Sequence, residues 1–245
     1  MREIIKILNV PFDRITYGEA LIRAEEFIIK RMAAGIVTPN AEIVISANKD
    51  QKLYNAICNA DISLPDGIGV FLASRIKGTP LKERTTGFDL MVELLKLADK
   101  KGYSVYLLGG KPGVADDALE NIKKSFPNIK ISGAHHGYFS AEEEKRIIEE
   151  LNKESPDMVF VGMGAPKQEL FIDRYRGKIN CGFLMGVGGS LDVLSGRTKR
   201  APLIMRKLGL EWLYRLVKEP YRAKRMTALP KFLIKVILIE KRGKK

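Results

Sequence analysis

Short β-branched runs alternate with longer amphipathic stretches along most of the chain. Ile4–Leu8, Ile36–Thr38, Ile62–Leu64, Ser104–Leu108, Ile129–Ser132, Met158–Val161 and Gly182–Met185 predict strands. Between them, Tyr17–Ala33, Lys49–Asn59, Ile68–Ile76, Phe88–Lys101, Val114–Ser125, Ala141–Lys153 and Gln168–Tyr175 carry apolar residues at helical spacing. Thr16 with Glu19, and Ser140 with Glu143, have the spacing of capping boxes and mark two helix starts. This alternation implies an α/β fold: a mainly parallel, Rossmann-like sheet with flanking helices. No internal repeat or low-complexity linker interrupts it.

In such folds ligands bind beyond the carboxyl ends of the strands, and the unusual residues of this chain fall in those turns. Pro39-Asn40 follows the second predicted strand, and Pro65-Asp66-Gly67-Ile68-Gly69 the third. Later come Gly109-Gly110-Lys111-Pro112-Gly113, then Gly162 to Glu169, then Gly186-Val187-Gly188-Gly189-Ser190-Leu191-Asp192. Five loops on one rim, three of them rich in glycine, favour a phosphate-bearing or nucleotide ligand. Glycine allows close backbone approach, and amides at a helix N-terminus attract anions. Asp66, between a strand end and a helix start, suits either an N-cap or a general base towards a hydroxyl. Asp89 and Asp192 compete for that base role, though Asp89 reads more readily as dipole charge at a helix start. Asp192, next to the Gly186–Gly189 turn, could cap or contact a ribose.

Several chemistries are excluded. The phosphate-binding pattern Gly-x-x-x-x-Gly-Lys-[Ser/Thr] is absent. Gly109-Gly110-x-x-Gly113 lacks the dinucleotide spacing, and the strand after it ends in Gly133-Ala134-His135-His136 rather than an acid for a ribose. There is no Gly-x-Ser-x-Gly elbow. His135 and His136 are the only histidines, and as strand neighbours they are expected to face opposite ways, one packed and one exposed. Cys58 and Cys181 stand alone, so neither a disulfide framework nor a zinc site is expected. The opening Met1–Arg14 has no secretory core, and no stretch approaches 18 uninterrupted apolar residues. A reduced, intracellular protein without a membrane span is expected.

Charge divides the chain. The net charge is +13, and residues 197–245 hold 16 of the 42 Lys/Arg but only 3 of the 29 Asp/Glu. Residues 1–196 are therefore neutral, with 26 of each sign. The expectation is a core over 1–196 and a basic helical appendage over 197–245 that docks on a membrane and closes the site. Glu211, Arg215, Lys218, Arg222 and Arg225 would share one helical face, up to a break or kink at Pro220. Leu208, Trp212, Leu213, Leu216 and Val217 fall on another side. Leu229–Lys245 is apolar with spaced lysines, the pattern of an element lying on anionic lipid. No nucleic-acid module accompanies the positive charge. An apolar tail face could drive homo-oligomers away from the membrane.

Loops and tail together resemble the WecG/TagA/CpsF glycosyltransferase family. The matching text includes Thr38-Pro39-Asn40, Pro65 to Gly69, Thr86-Gly87-Phe88-Asp89-Leu90, His136-Gly137-Tyr138-Phe139 and Gly162 to Glu169. It continues through Gly186 to Asp192, Arg200-Ala201-Pro202, Glu211 to Leu216 and Glu219-Pro220-x-Arg222. Within the family the chain looks most like the TagA branch, N-acetylmannosaminyltransferases of wall teichoic acid synthesis.

The resemblance implies inverting transfer of N-acetylmannosamine from UDP-ManNAc to the 4-hydroxyl of GlcNAc on undecaprenyl diphosphate. It also implies a peripheral enzyme on the cytoplasmic face of a bacterial membrane, with no metal or other cofactor. By the same resemblance Asp66 is the general base and Thr38 helps hold the sugar. Asn40, Gln168 and Asp192, with Gly186, Gly188 and Gly189, line the UDP-sugar pocket. Gly110, Tyr138 and Lys167 complete the substrate-binding set. Arg215, Arg222 and Arg225 close over a diphosphate; arginine and backbone N–H groups would then carry the charge of departing UDP. Ser190-Leu191 departs from the family, where an aromatic is expected. Other branches use UDP-ManNAcA or UDP-glucose, so the family leaves the donor open. A basic, non-enzymatic binding module is the rival class, and it would lack UDP-sugar turnover.

Overall fold

The computed structural model of the chain describes residues 3–218 and 228–243. Six strands form one parallel sheet in the order β4-β3-β8-β7-β5-β6: β3 (Ala34–Val37), β4 (Ile62–Ser63), β5 (Ser104–Gly109), β6 (Lys130–His135), β7 (Met158–Gly162) and β8 (Phe183–Gly186). All seven predicted strands are present, with ends moved by at most three residues, and the α/β class holds.

Alternation along the strands divides the interior in two. Tyr106, Leu108, Val159, Val161 and Leu184 belong to one core, while Val105, Leu107, Met158, Phe160 and Phe183 belong to the other. A period of two sends successive side chains to opposite faces. Here both faces are covered, so the central strands β7 and β8 are apolar throughout. The second core is capped by α1 (Tyr17–Lys30), α5 (Gly87–Lys101), α6 (Val114–Ser125) and the short α9 (Ser190–Leu194). The first is capped by α2 (Ala41–Ala47), α3 (Gln51–Asn59), α4 (Gly67–Ile76), α7 (Ala141–Glu154) and α8 (Lys167–Tyr175).

Both capping boxes form, at Thr16/Glu19 and at Ser140/Glu143. Helix α1 stops three residues short of its predicted end. Arg31 takes a left-handed conformation (φ 53°), and its guanidinium donates to Asp157, Asn180 and the Ser155 carbonyl. The N-terminus differs more. The first strand, β1 (Ile4–Ile7), pairs antiparallel with β2 (Val10–Asp13) across a turn in which Leu8 and Asn9 both have positive φ. Pro11 disguises β2 in the sequence, but an edge strand tolerates it.

The described residues of the tail form three helices. Helix α10 (Leu203–Lys207) ends before Gly209, whose φ of +74° breaks the chain's course, and α11 (Glu211–Lys218) follows. Leu208 therefore lies outside the helix that carries Trp212. The C-terminal helix Ala228–Gly243 packs on α2 and α4, burying Phe232 and Val236 in the first core. Its other side exposes Ile234, Ile237, Leu238 and Ile239. Among the described residues, no helix is long and apolar enough to cross a membrane.

Candidate active site

A cavity of about 380 Å³ opens at the carboxyl ends of β4, β3, β8 and β7. Its wall brings together Thr38, Asn40, Asp66, Gln168, Gly188 and Gly189, residues that the sequence scatters over 150 positions. Each sits where a strand gives way to a helix, the usual place for a ligand in such sheets.

Asp66 occupies the N-cap position of α4 but makes no capping bond to that helix. Its Oδ1 instead accepts from the Gly87 amide at the start of α5, 3.2 Å away. The carboxylate is thus aimed across the cavity mouth between two helix starts. Thr38 donates from Oγ1 to the Gly186 carbonyl at 3.1 Å, and this bond fixes its rotamer on the wall. Asn40 caps α2, its Oδ1 accepting from the Ile43 amide. Asn40 thus lines the cavity and also organises a helix that the sequence pattern does not announce.

Gln168 is almost fully buried and links two loops. Its Oε1 accepts from the Gly188 amide at 3.0 Å, and its Nε2 donates to Glu169 Oε1 at 2.9 Å. A side chain at Gly186 would meet Gln168 Nε2 at 3.0 Å, so the absence of a Cβ there leaves room for the amide. Glu169 is 1% exposed, and burial pushes its carboxyl above the ordinary range; its Oε2 has no hydrogen-bond partner among the described residues. A neutral carboxyl fits that environment better than a charge.

Gly110, Tyr138, Lys167, Gly186 and Asp192 lie outside this wall. Gly110 serves the backbone: its amide donates to the Gly162 carbonyl, and its own carbonyl accepts from Gly137. The neighbouring Gly109 lies so close to β7 that a Cβ would approach the Gly162 carbonyl to 2.5 Å. The Gly109–Gly113 loop packs on β7 at Gly109 and does not line this cavity. Lys167 donates to the Gly137 carbonyl at 2.7 Å and covers the Phe139 ring. Tyr138 points to solvent, two-thirds exposed. Asp192 sits within α9, where its carbonyl accepts from Thr198. Gly186 is also off the wall, but it joins Thr38 to Gln168. Leu191, where the family led us to expect an aromatic, is fully buried against Gly162.

The two histidines do not face opposite ways. His136 lies beyond the end of β6, so both rings are half-buried with centroids 4.4 Å apart, and His135 Nδ1 meets the His136 carbonyl at 2.8 Å. Arg215 falls in α11, while Arg222 and Arg225 lie outside the described residues.

Other residues on the wall were not foreseen there: Arg84, Arg200, Arg206 and Trp212. Trp212 joins the wall beside Glu211, rather than a separate apolar face. Arg200 reaches Asp89 at 2.6 Å, lies 4.2 Å over the Phe88 ring and stands 3.8 Å from Glu211. Burial works against the charge on Asp89, but hydrogen bonds from Arg200 and Thr86 outweigh it and hold the carboxyl below its ordinary value. The Arg84 and Arg206 side chains come from segments 122 residues apart, a convergence no local motif encodes.

Residues 5–245 match the model of the glycosyl transferase WecG/TagA/CpsF family. The chain is 40% identical over 239 residues to the N-acetylglucosaminyldiphosphoundecaprenol N-acetyl-beta-D-mannosaminyltransferase of Bacillus subtilis, covering 97% of this chain and 93% of that protein. The proteins of the same name from Bacillus spizizenii and Staphylococcus aureus strain MW2 are 38% and 37% identical. Those matches cover 89% and 98% of this chain, and 84% and 95% of the respective relatives. The chain belongs to the WecG/TagA/CpsF glycosyltransferase family.

Proposed function

We propose that the chain is an inverting transferase that moves N-acetylmannosamine from UDP-ManNAc to the 4-hydroxyl of GlcNAc-diphospho-undecaprenol, forming the β-1,4 linkage of a wall teichoic acid linkage unit. The names of its relatives support the acceptor and the sugar. The observation that carries the mechanism is Asp66, a carboxylate on the cavity wall that is not spent on capping its own helix. In this reading Asp66 takes the proton from the acceptor 4-hydroxyl as that oxygen bonds to the anomeric carbon. The bond from that carbon to UDP breaks on the opposite face, and UDP leaves with the electron pair. Thr38, held by the Gly186 carbonyl, faces the sugar, and the backbone at Gly189, beside the Gly188 amide that Gln168 already holds, faces the nucleotide phosphates. Arg215, Arg222 and Arg225 would answer the charge of departing UDP without a metal.

The same proposal places the protein on the cytoplasmic face of the membrane. Ile234, Leu238 and Ile239 on the C-terminal helix, with Lys231 and Lys235, form an exposed apolar and basic side suited to anionic lipid. Transfer to a short-chain polyprenyl-diphospho-GlcNAc tests the reading with UDP-ManNAc, UDP-ManNAcA and UDP-glucose as alternative donors. Turnover with UDP-ManNAc at least tenfold above the other two is expected. Preference for another donor overturns the sugar assignment, and no turnover with any donor overturns the reaction.

A further inference from the structure

The reaction proposed above brings two diphosphates to one cavity, that of the nucleotide and that of the lipid acceptor. The Gly188–Gly189 turn can serve only one of them. We propose that Arg84 and Arg206 form a second anion site, which holds the diphosphate of the prenyl-linked acceptor.

The three arginines of the wall are not equivalent. Arg200 is occupied: Asp89 and Glu211 answer its charge, and Phe88 lies against its face. Arg84 and Arg206 make no ion pair within 4.0 Å among the described residues, although Arg206 adds, after Arg200 and Thr86, to the charges that lower Asp89. The two segments are fastened together, with Arg84 Nη2 donating to the Arg206 carbonyl at 2.5 Å. The Nε atoms of Arg200 and Arg206 are both buried without a hydrogen-bond partner among the described residues, but Arg200 has Asp89 and Glu211 to answer its charge and Arg206 has no ion pair within 4.0 Å there. A buried guanidinium donor without a partner is costly, and an anion entering the cavity would satisfy it. Two guanidinium groups match a diphosphate, because each can offer paired N–H donors to phosphate oxygens.

The surroundings decide which diphosphate. Arg206 belongs to α10, and the outward side of the same short segment exposes Leu203, Ile204 and Leu208. Within about one helical turn the chain presents a cation to the cavity and bulky apolar groups to the outside. A prenyl diphosphate has this combination, with an anionic head joined directly to a hydrocarbon chain. A nucleotide diphosphate continues into ribose and base and has no use for the apolar rim.

The assignment rests on the proposed reaction, so its test separates the two. Binding of geranyl diphosphate and of UDP is measured by calorimetry on the full chain and on Arg84→Gln, Arg206→Gln and Arg206→Lys, beside the acceptor KM and the UDP-ManNAc KM. Each Gln variant is expected to weaken geranyl diphosphate binding and raise the acceptor KM about tenfold or more, leaving UDP affinity and donor KM within about twofold. Arg206→Lys, which keeps the charge but loses the fork, is the variant least prone to misfold and should fall between. If UDP affinity drops and prenyl diphosphate affinity does not, the site belongs to the nucleotide and the proposal fails. Unchanged binding of both ligands in the variants overturns it equally. If the wild-type chain binds geranyl diphosphate through these arginines but transfers no sugar, the reaction is wrong and the site stands.

Discussion

Replacing Phe232 by Ala tests whether the C-terminal helix is part of the folded core or an appendage beside it. Phe232 is fully buried, in the same cluster as Val44, Val70 and Ala73 on α2 and α4. These two helices start at Asn40 and Asp66, so the helix that Phe232 anchors braces the cavity from behind. Truncating a buried phenylalanine costs about 3–5 kcal/mol in transfer and cavity terms. For a domain of this size each kcal/mol shifts the melting temperature by about 2–4 °C, so a fall of roughly 6–20 °C is expected. Ile234→Ala, two residues away and 57% exposed, is the internal control and should change stability by no more than about 0.5 kcal/mol. Thermal unfolding by calorimetry without lipid or detergent gives both numbers. A Phe232→Ala melting temperature within about 2 °C of wild type would mean that the helix does not pack on α2 and α4 in solution, and the argument would collapse.

Two further outcomes concern charge. Because burial raises the Glu169 carboxyl, the folded state holds its proton more tightly than the unfolded chain does. That costs stability increasingly as pH rises above the ordinary carboxylate range. Glu169→Gln keeps an acceptor for Gln168, so its stability relative to wild type should improve between pH 4.5 and 7.5; a pH-independent difference in urea melts counts against the neutral carboxyl. Asp89 has the opposite sign, since Arg200 and Thr86 lower its carboxyl and the stability it provides is present at neutral pH and lost on acidification. Asp89→Ala should therefore lose stability at pH 7 and flatten the acid limb of the stability curve, and an unchanged acid limb would contradict the pairing.

The sheet was legible because buried parallel strands are written as uninterrupted apolar runs, as in Met158–Val161, and the helix starts because Thr16 and Ser140 carry their acidic partners three residues on. Local signals failed where a residue's partner is remote. Nothing near Val10–Asp13 announces a strand, since Pro11 argues against one and the turn before it uses Leu8 and Asn9 rather than glycine. Helix α2 spans seven residues, too few to show a period. Glycine in a sequence does not separate phosphate chemistry from packing, because the close approach of Gly109 to Gly162 looks the same there as the Gly188 turn. Arg84 and Arg206 were invisible for a simpler reason, that only the folded chain brings them together. Asp66 stands out in the sequence at a strand–helix turn and lies on the cavity wall, but whether it capped α4 needed the structure to decide.

The central claim is that Asp66 removes a proton, and Asp66→Asn tests it most directly. Asn is isosteric and its Oδ1 can still accept from the Gly87 amide, so geometry is kept while the base is lost. With UDP-ManNAc and the prenyl-diphospho-GlcNAc acceptor, kcat should fall by about 10²-fold or more, while UDP affinity and melting temperature stay at wild-type values. A variant that transfers the sugar at the wild-type rate would contradict the account.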